Sequence, residues 1–102
     1  MHTMKEDVVR YEKVLNETSE IVEKMNALLD QLEANSADYN ALKDYYGSEE
    51  YMRDVDLSNE SDTYQDIPTG VLSEDGVYNL IAEQYALNIR MLEIATQQLK
   101  TH

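Results

Sequence analysis

A chain of 102 residues with 42% hydrophobic content suits a single domain, long enough to bury roughly 60–70% of the surface its unfolded form exposes. The absence of cysteine excludes disulfides, thiolate metal sites and cysteine nucleophiles. A net charge of −13 argues against direct binding to nucleic acid or anionic lipid, both of which call for clustered Lys and Arg.

The first element is announced by Thr3-Met4-Lys5-Glu6, which has capping-box spacing ahead of an apolar run. From there a heptad can be counted. Val8, Leu15, Val22 and Leu29 form one row, Tyr11, Thr18, Met25 and Leu32 a second, and Val14, Ile21 and Leu28 a third beside the first. Only Thr18 interrupts the two main rows, and the remaining positions are mainly Glu, Lys, Asn, Asp and Gln. Three adjacent rows make a face wider than a two-stranded seam, which suits a helix in a bundle. Glu6–Arg10 and Glu20–Lys24 stand at i,i+4, each pair contributing about 0.2–0.5 kcal/mol. This predicts a helix over about 4–34.

A second helix is expected over about 36–46, capped by Ser36 and carrying Tyr39, Leu42 and Tyr46 on one face. The heptad phase survives the join. A single helix from 4 to 46 would run for about 65 Å, too long for the rest of the chain to cover. A break near 35–37 is therefore expected, and a continuous helix would make a second copy of the protein almost necessary.

Gly47 is positioned to stop this helix in a left-handed conformation. Ser48-Glu49-Glu50 then restarts a short helical turn over about 49–53, followed by an acidic loop over 54–72 that contains Pro68, the only proline. Residues 44–75 hold ten acids against Arg53 alone, giving −9, whereas residues 1–43 sum to −4 and residues 76–102 to zero. Ser73 is a fitting N-cap, with Glu74 and Asp75 in the first turn where the helix dipole favours carboxylates. The last helix is expected over about 74–100. Val77, Ile81, Tyr85, Met91, Leu92 and Leu99 belong to its broad apolar arc, and Gln84 and Asn88 lie one turn apart within that arc. Such amides are expected to bond to each other, to a tyrosine hydroxyl or to the backbone.

No stretch carries recognisable catalytic chemistry. His2 and His102 stand at opposite ends, no serine has a nucleophile-elbow context, and no glycine loop is built to cradle phosphate. Asp54-Val-Asp56-Leu-Ser58-Asn59-Glu60-Ser61-Asp62 alternates oxygen ligands as a calcium loop does. It places Asn59 where an EF-hand needs glycine, however, and Gln65 where a bidentate Glu is required. No catalytic, cofactor-binding or metal-ligating residue is therefore assigned.

From Tyr45 onward the chain resembles a known family. Tyr45-Tyr46-Gly47-Ser48-Glu49-Glu50-Tyr51, an acidic loop, Pro68 and Gly70-Val71-Leu72-Ser73-Glu74-Asp75-Gly76-Val77-Tyr78-Asn79-Leu80-Ile81 are similar to a bacterial family of short acidic helical proteins, domain of unknown function 4298. It departs from that pattern at Tyr51, where tryptophan is expected, and at Gly76, where alanine is more usual. The resemblance implies a small helical cytoplasmic protein and brings no activity, cofactor or site residue with it.

The reading is an all-α domain, a small helical bundle built on two long amphipathic helices with short helices and an acidic loop between them. The final helix is expected to pack on the first, and the wide apolar faces point to a homodimer. The longest apolar runs are too short to span a bilayer and no signal-peptide pattern opens the chain, so a cytoplasmic location is expected. The function expected is a non-enzymatic protein–protein interaction or scaffold module. The alternatives are an acidic nucleic-acid mimic that inhibits a basic partner, and a metal- or ligand-binding protein.

Overall fold

The computed structural model describes residues 4–73 and 75–102. Three α-helices and one 3-10 turn account for most of them, and among the described residues there is no strand. The capping box at Thr3 and the first-turn place of Glu74 lie outside the described residues. The chain divides into two compact units, Met1–Tyr39 and Asn40–His102.

Helix α1 runs without interruption over Met4–Tyr46. Its charged surface is laced locally: Lys24 Nζ lies 2.8 Å from Glu20, Lys13 Nζ lies 3.8 Å from Glu17, and the Arg10 guanidinium sits 5.2 Å from the centre of the Tyr11 ring. The break expected near 35–37 does not occur, and the separate helix over 36–46 is the last part of α1. Ser36 explains the difference. Its hydroxyl donates to the Leu32 carbonyl at 3.0 Å, the back-bond of a serine inside a helix, and so it caps nothing. Ala34, Ala37 and Ala41 flank it with strong helix formers.

Among the described residues of the first unit α1 is the only element. No α1 residue is buried: Val8 is 69% exposed, Leu15 58%, Val22 54% and Leu29 42%. The apolar rows legible in the sequence thus lie open in the single chain.

The second unit begins with the end of α1. Gly47 donates to the Lys43 carbonyl at 3.2 Å, and Ser48 to that of Tyr45 at 3.0 Å. No glycine in the chain has a positive φ, so Gly47 does not stop α1 through a left-handed turn. Ser48 is what redirects the chain. Its hydroxyl donates to the Tyr45 carbonyl at 2.6 Å and accepts from the Tyr51 amide at 3.2 Å, closing one helix and capping the next.

Helix α2 spans Glu49–Glu60, well beyond the turn expected over 49–53, so residues 54–60 of the stretch expected as a loop are helical. Two causes are visible. Glu49 and Glu50 occupy its first turn, where carboxylates are favoured, and the Ser61 hydroxyl donates to the Leu57 carbonyl at 2.7 Å to close the far end. Hydrogen-bonded turns follow, with the Gln65 amide on Asp62 and the Ile67 amide on Tyr64. The 3-10 turn Gly70–Leu72 packs on both α2 and the final helix, α3, which spans Gly76–Lys100.

Candidate functional site

The most constructed part of the molecule is the junction of α1, α2 and the 3-10 turn. Tyr51 stands on the third position of α2 and is 8% exposed; with Val77, 3% exposed, it makes up the buried apolar core of the described residues. Its ring meets two others edge-on. Tyr45 lies 5.5 Å away with planes at 87°, and Tyr46 lies 5.1 Å away at 63°. Edge-to-face pairs of this kind add about 0.5–1.5 kcal/mol beyond the area they bury. The Tyr51 hydroxyl reaches the Ser73 carbonyl at 3.5 Å, tying α2 to the segment that leads into α3.

Asp54, one turn after Tyr51 on α2, receives two phenols. Tyr45 donates to Oδ2 at 2.6 Å and Tyr64 to Oδ1 at 2.9 Å. The two hydroxyls hold the Asp54 carboxyl below its ordinary range, with a lesser contribution from the Arg53 charge, opposed by partial desolvation. Reciprocally, the bond to Asp54, with desolvation and the carboxylate's charge, pushes Tyr45 up to about 12, and the same causes raise Tyr64. The carboxylate thus fastens the end of α1 and the turn after α2 to the middle of α2.

Ser73 does for α3 part of what Ser48 does for α2. Its hydroxyl donates to the Gly70 carbonyl at 2.7 Å and accepts from the Gly76 amide at 3.1 Å, the bond expected of a cap three residues ahead. The helix itself starts at Gly76, two residues later than expected, with Asp75 as the flanking residue. Glycine is needed there: a Cβ on Gly76 would lie 2.6 Å from the Ser73 hydroxyl and 2.8 Å from the Gly70 carbonyl oxygen.

The calcium-loop pattern does not form a loop. Residues 54–60 are helical, which splays their carboxylates around α2, and Asp54 is engaged by the two tyrosines. A shallow open cleft of about 290 Å³ beside the turn is lined by Ser58, Ser61, Asp62, Tyr64 and Gln65 among others. Among the described residues no three His, Asp or Glu side chains converge as a metal site requires. On α3, Gln84 donates to Asn88 at 2.9 Å, the mutual amide bond expected from their spacing.

The aromatic and capping residues that build this junction, Tyr45 to Tyr51 and Gly70 to Val77, are the ones that carry the family pattern. A family model, Domain of unknown function (DUF4298), matches residues 8–94. The chain belongs to the DUF4298 family. No curated protein and no solved structure matches it. In this chain the residues that carry the resemblance form the tyrosine cluster, the Ser48 cap of α2 and the Ser73 hydroxyl that accepts from the Gly76 amide. The Tyr45–Asp54–Tyr64 clamp was not legible beforehand, because its members are nine and ten residues apart and follow no helical or strand period. No helix among the described residues is long and apolar enough to cross a membrane.

Proposed function

We propose that this DUF4298 chain is a non-enzymatic protein–protein interaction module of the cytoplasm that works as a homo-oligomer, its helices pairing through their exposed apolar faces. The observation that carries the reading is the open heptad face of α1. Ten apolar residues in three rows span Val8 to Leu32, and none is buried in the single chain. Contiguous apolar surface on this scale marks an interaction site, and a continuous α1 offers it without a break. Helix α3 adds to the supply, with Tyr85, Leu92 and Leu99 each about as exposed as Val8.

The test is sedimentation and light scattering across a range of protein concentrations. The wild-type chain is expected to run as a dimer or small closed oligomer. Val22→Glu with Leu29→Glu, which places carboxylates in the seam, is expected to run as a monomer, weakened at least about 100-fold in association. A wild-type protein that stays folded and monomeric at high concentration would refute the reading. Residues 44–75, with their −9 charge, favour a second use, as a surface for a basic partner. A co-purifying protein released by high salt would support that use, whereas one that resists salt belongs to the apolar faces.

A further inference from the structure

Helix α3 differs from the rest of the chain in its charge. Residues 76–102 sum to zero, against −4 for residues 1–43 and −9 for residues 44–75. The four charged residues of α3 fall in two adjacent heptad rows, Glu83 with Arg90 and Glu93 with Lys100. The other five rows of the helix hold none. Five of seven rows make an arc of about 200°, roughly twice the stripe a helix needs to lie on one neighbour.

One row inside that arc is apolar at every position. Tyr78, Tyr85, Leu92 and Leu99 are each at least 63% exposed in the single chain. The rows on either side of it, Ile81-Asn88-Ala95 and Ala82-Ile89-Thr96, are uncharged. The amides within the arc are partly satisfied before any partner arrives, because Gln84 donates to Asn88 at 2.9 Å. Resting on the reading above, we infer that the Tyr78–Leu99 row is covered by α3 of a second copy, the two α3 helices lying in direct contact. This contact adds to the one through α1 rather than replacing it.

Charge selects the occupant. The rows that border the apolar face of α1 carry Glu12 and Glu33 on one side and Arg10, Glu17 and Lys24 on the other. Laid on the Tyr78 row, α1 would bring these groups to the edge of a contact where α3 has no charge to meet them. Ionised groups that lose water without gaining a partner weaken such a contact, and a strongly acidic or basic partner meets the same obstacle. A second α3 meets none. It sets no charge in the seam or in the rows beside it, whichever way the two helices run. Two copies of a chain of −13 also repel each other, and at physiological salt charges act over about 8 Å. Their neutral segment is where that repulsion is least.

The experiment uses the full-length chain with Tyr85, which is exposed and no part of the buried core, replaced by the photo-crosslinking residue p-benzoylphenylalanine. After irradiation, denaturing electrophoresis reads whether two chains are joined, and peptide mass spectrometry reads where. A species of twice the chain mass is expected, joined within residues 76–100 of the second copy. Tyr85→Glu with Leu92→Glu is expected to weaken association about 100-fold, with far-ultraviolet helicity retained. A join anywhere else in the second copy, or none from a protein that still sediments as an oligomer, would overturn the inference and leave self-association standing. Undiminished association of the double variant would do the same. No join from a protein that sediments as a monomer would overturn self-association as well.

Discussion

In α1 as far as Tyr39 no side chain is buried and the interactions shown are local ones, i,i+4 ion pairs and a neighbouring Arg–Tyr contact. Among the described residues from Asn40 onward, Tyr51 and Val77 are buried and the Asp54 carboxylate gathers phenols from before and after α2. The first unit owes its conformation to periodicity: helix formers in a heptad, with an apolar face that becomes favourable only when something covers it. The second owes its conformation to specific contacts inside one chain. The long helix is specified by its local sequence, whereas the short-helix junction is held by aromatic edges, caps and a clamp inside one chain.

The largest effect should come from removing the centre of the second unit. Tyr51→Ala deletes the ring that Tyr45 and Tyr46 both contact and is expected to cost about 3 kcal/mol. Near-ultraviolet circular dichroism should lose its tyrosine signal while most far-ultraviolet helicity from α1 persists. Parallel loss of both signals would show that the two units do not differ as described.

Ser36 sharpens the comparison from the other side. Because it lies inside a continuous helix and bonds back to Leu32, Ser36→Pro should cost about 3 kcal/mol, whereas Ser36→Ala should be neutral or slightly stabilising. Were Ser36 an N-cap after a break, alanine would instead destabilise by about 1 kcal/mol and thermal melts would show it.

The carboxylate clamp predicts a pH window. Asp54 is held below its ordinary value of 3.8, so its contribution is present above that value and lost as pH falls through the lowered one. The tyrosines are raised, so theirs is present below the ordinary 10.0 and lost as pH rises, for Tyr45 toward about 12. An absorbance titration of tyrosinate should therefore show a late-titrating component in the wild type. In Asp54→Ala that component should return toward 10.0, with a modest fall in melting temperature near neutral pH. An unchanged titration would remove the clamp.

The smallest effect belongs to α3. Gln84→Leu with Asn88→Leu removes a polar pair from an otherwise apolar arc and should leave helicity unchanged. If the pair fixes the register of helix pairing, the double variant should broaden the distribution of oligomers seen in sedimentation. An unchanged distribution would confine the pair to bonding within its own helix.

The amino-acid sequence by itself determined the helices of this chain and the face each one offers, because apolar period, serine caps and first-turn carboxylates act over a few residues. It placed the restart at Ser48 and the bond that the Ser73 hydroxyl accepts from the chain ahead, though α3 begins at Gly76 with Asp75 as its flanking residue. What it left to the tertiary structure were the outcomes of competition between neighbours. Ser36 had the choice of capping a new helix or bonding back into the old one, and the surrounding alanines favoured the second. Residues 54–60 read as loop because acids are poor evidence of helix, yet Ser48 and Ser61 close both ends of α2 and Asp54 gains two phenols once it forms. Such contacts join residues nine or ten positions apart, where no period exists to announce them, and only folding brings them within hydrogen-bond reach.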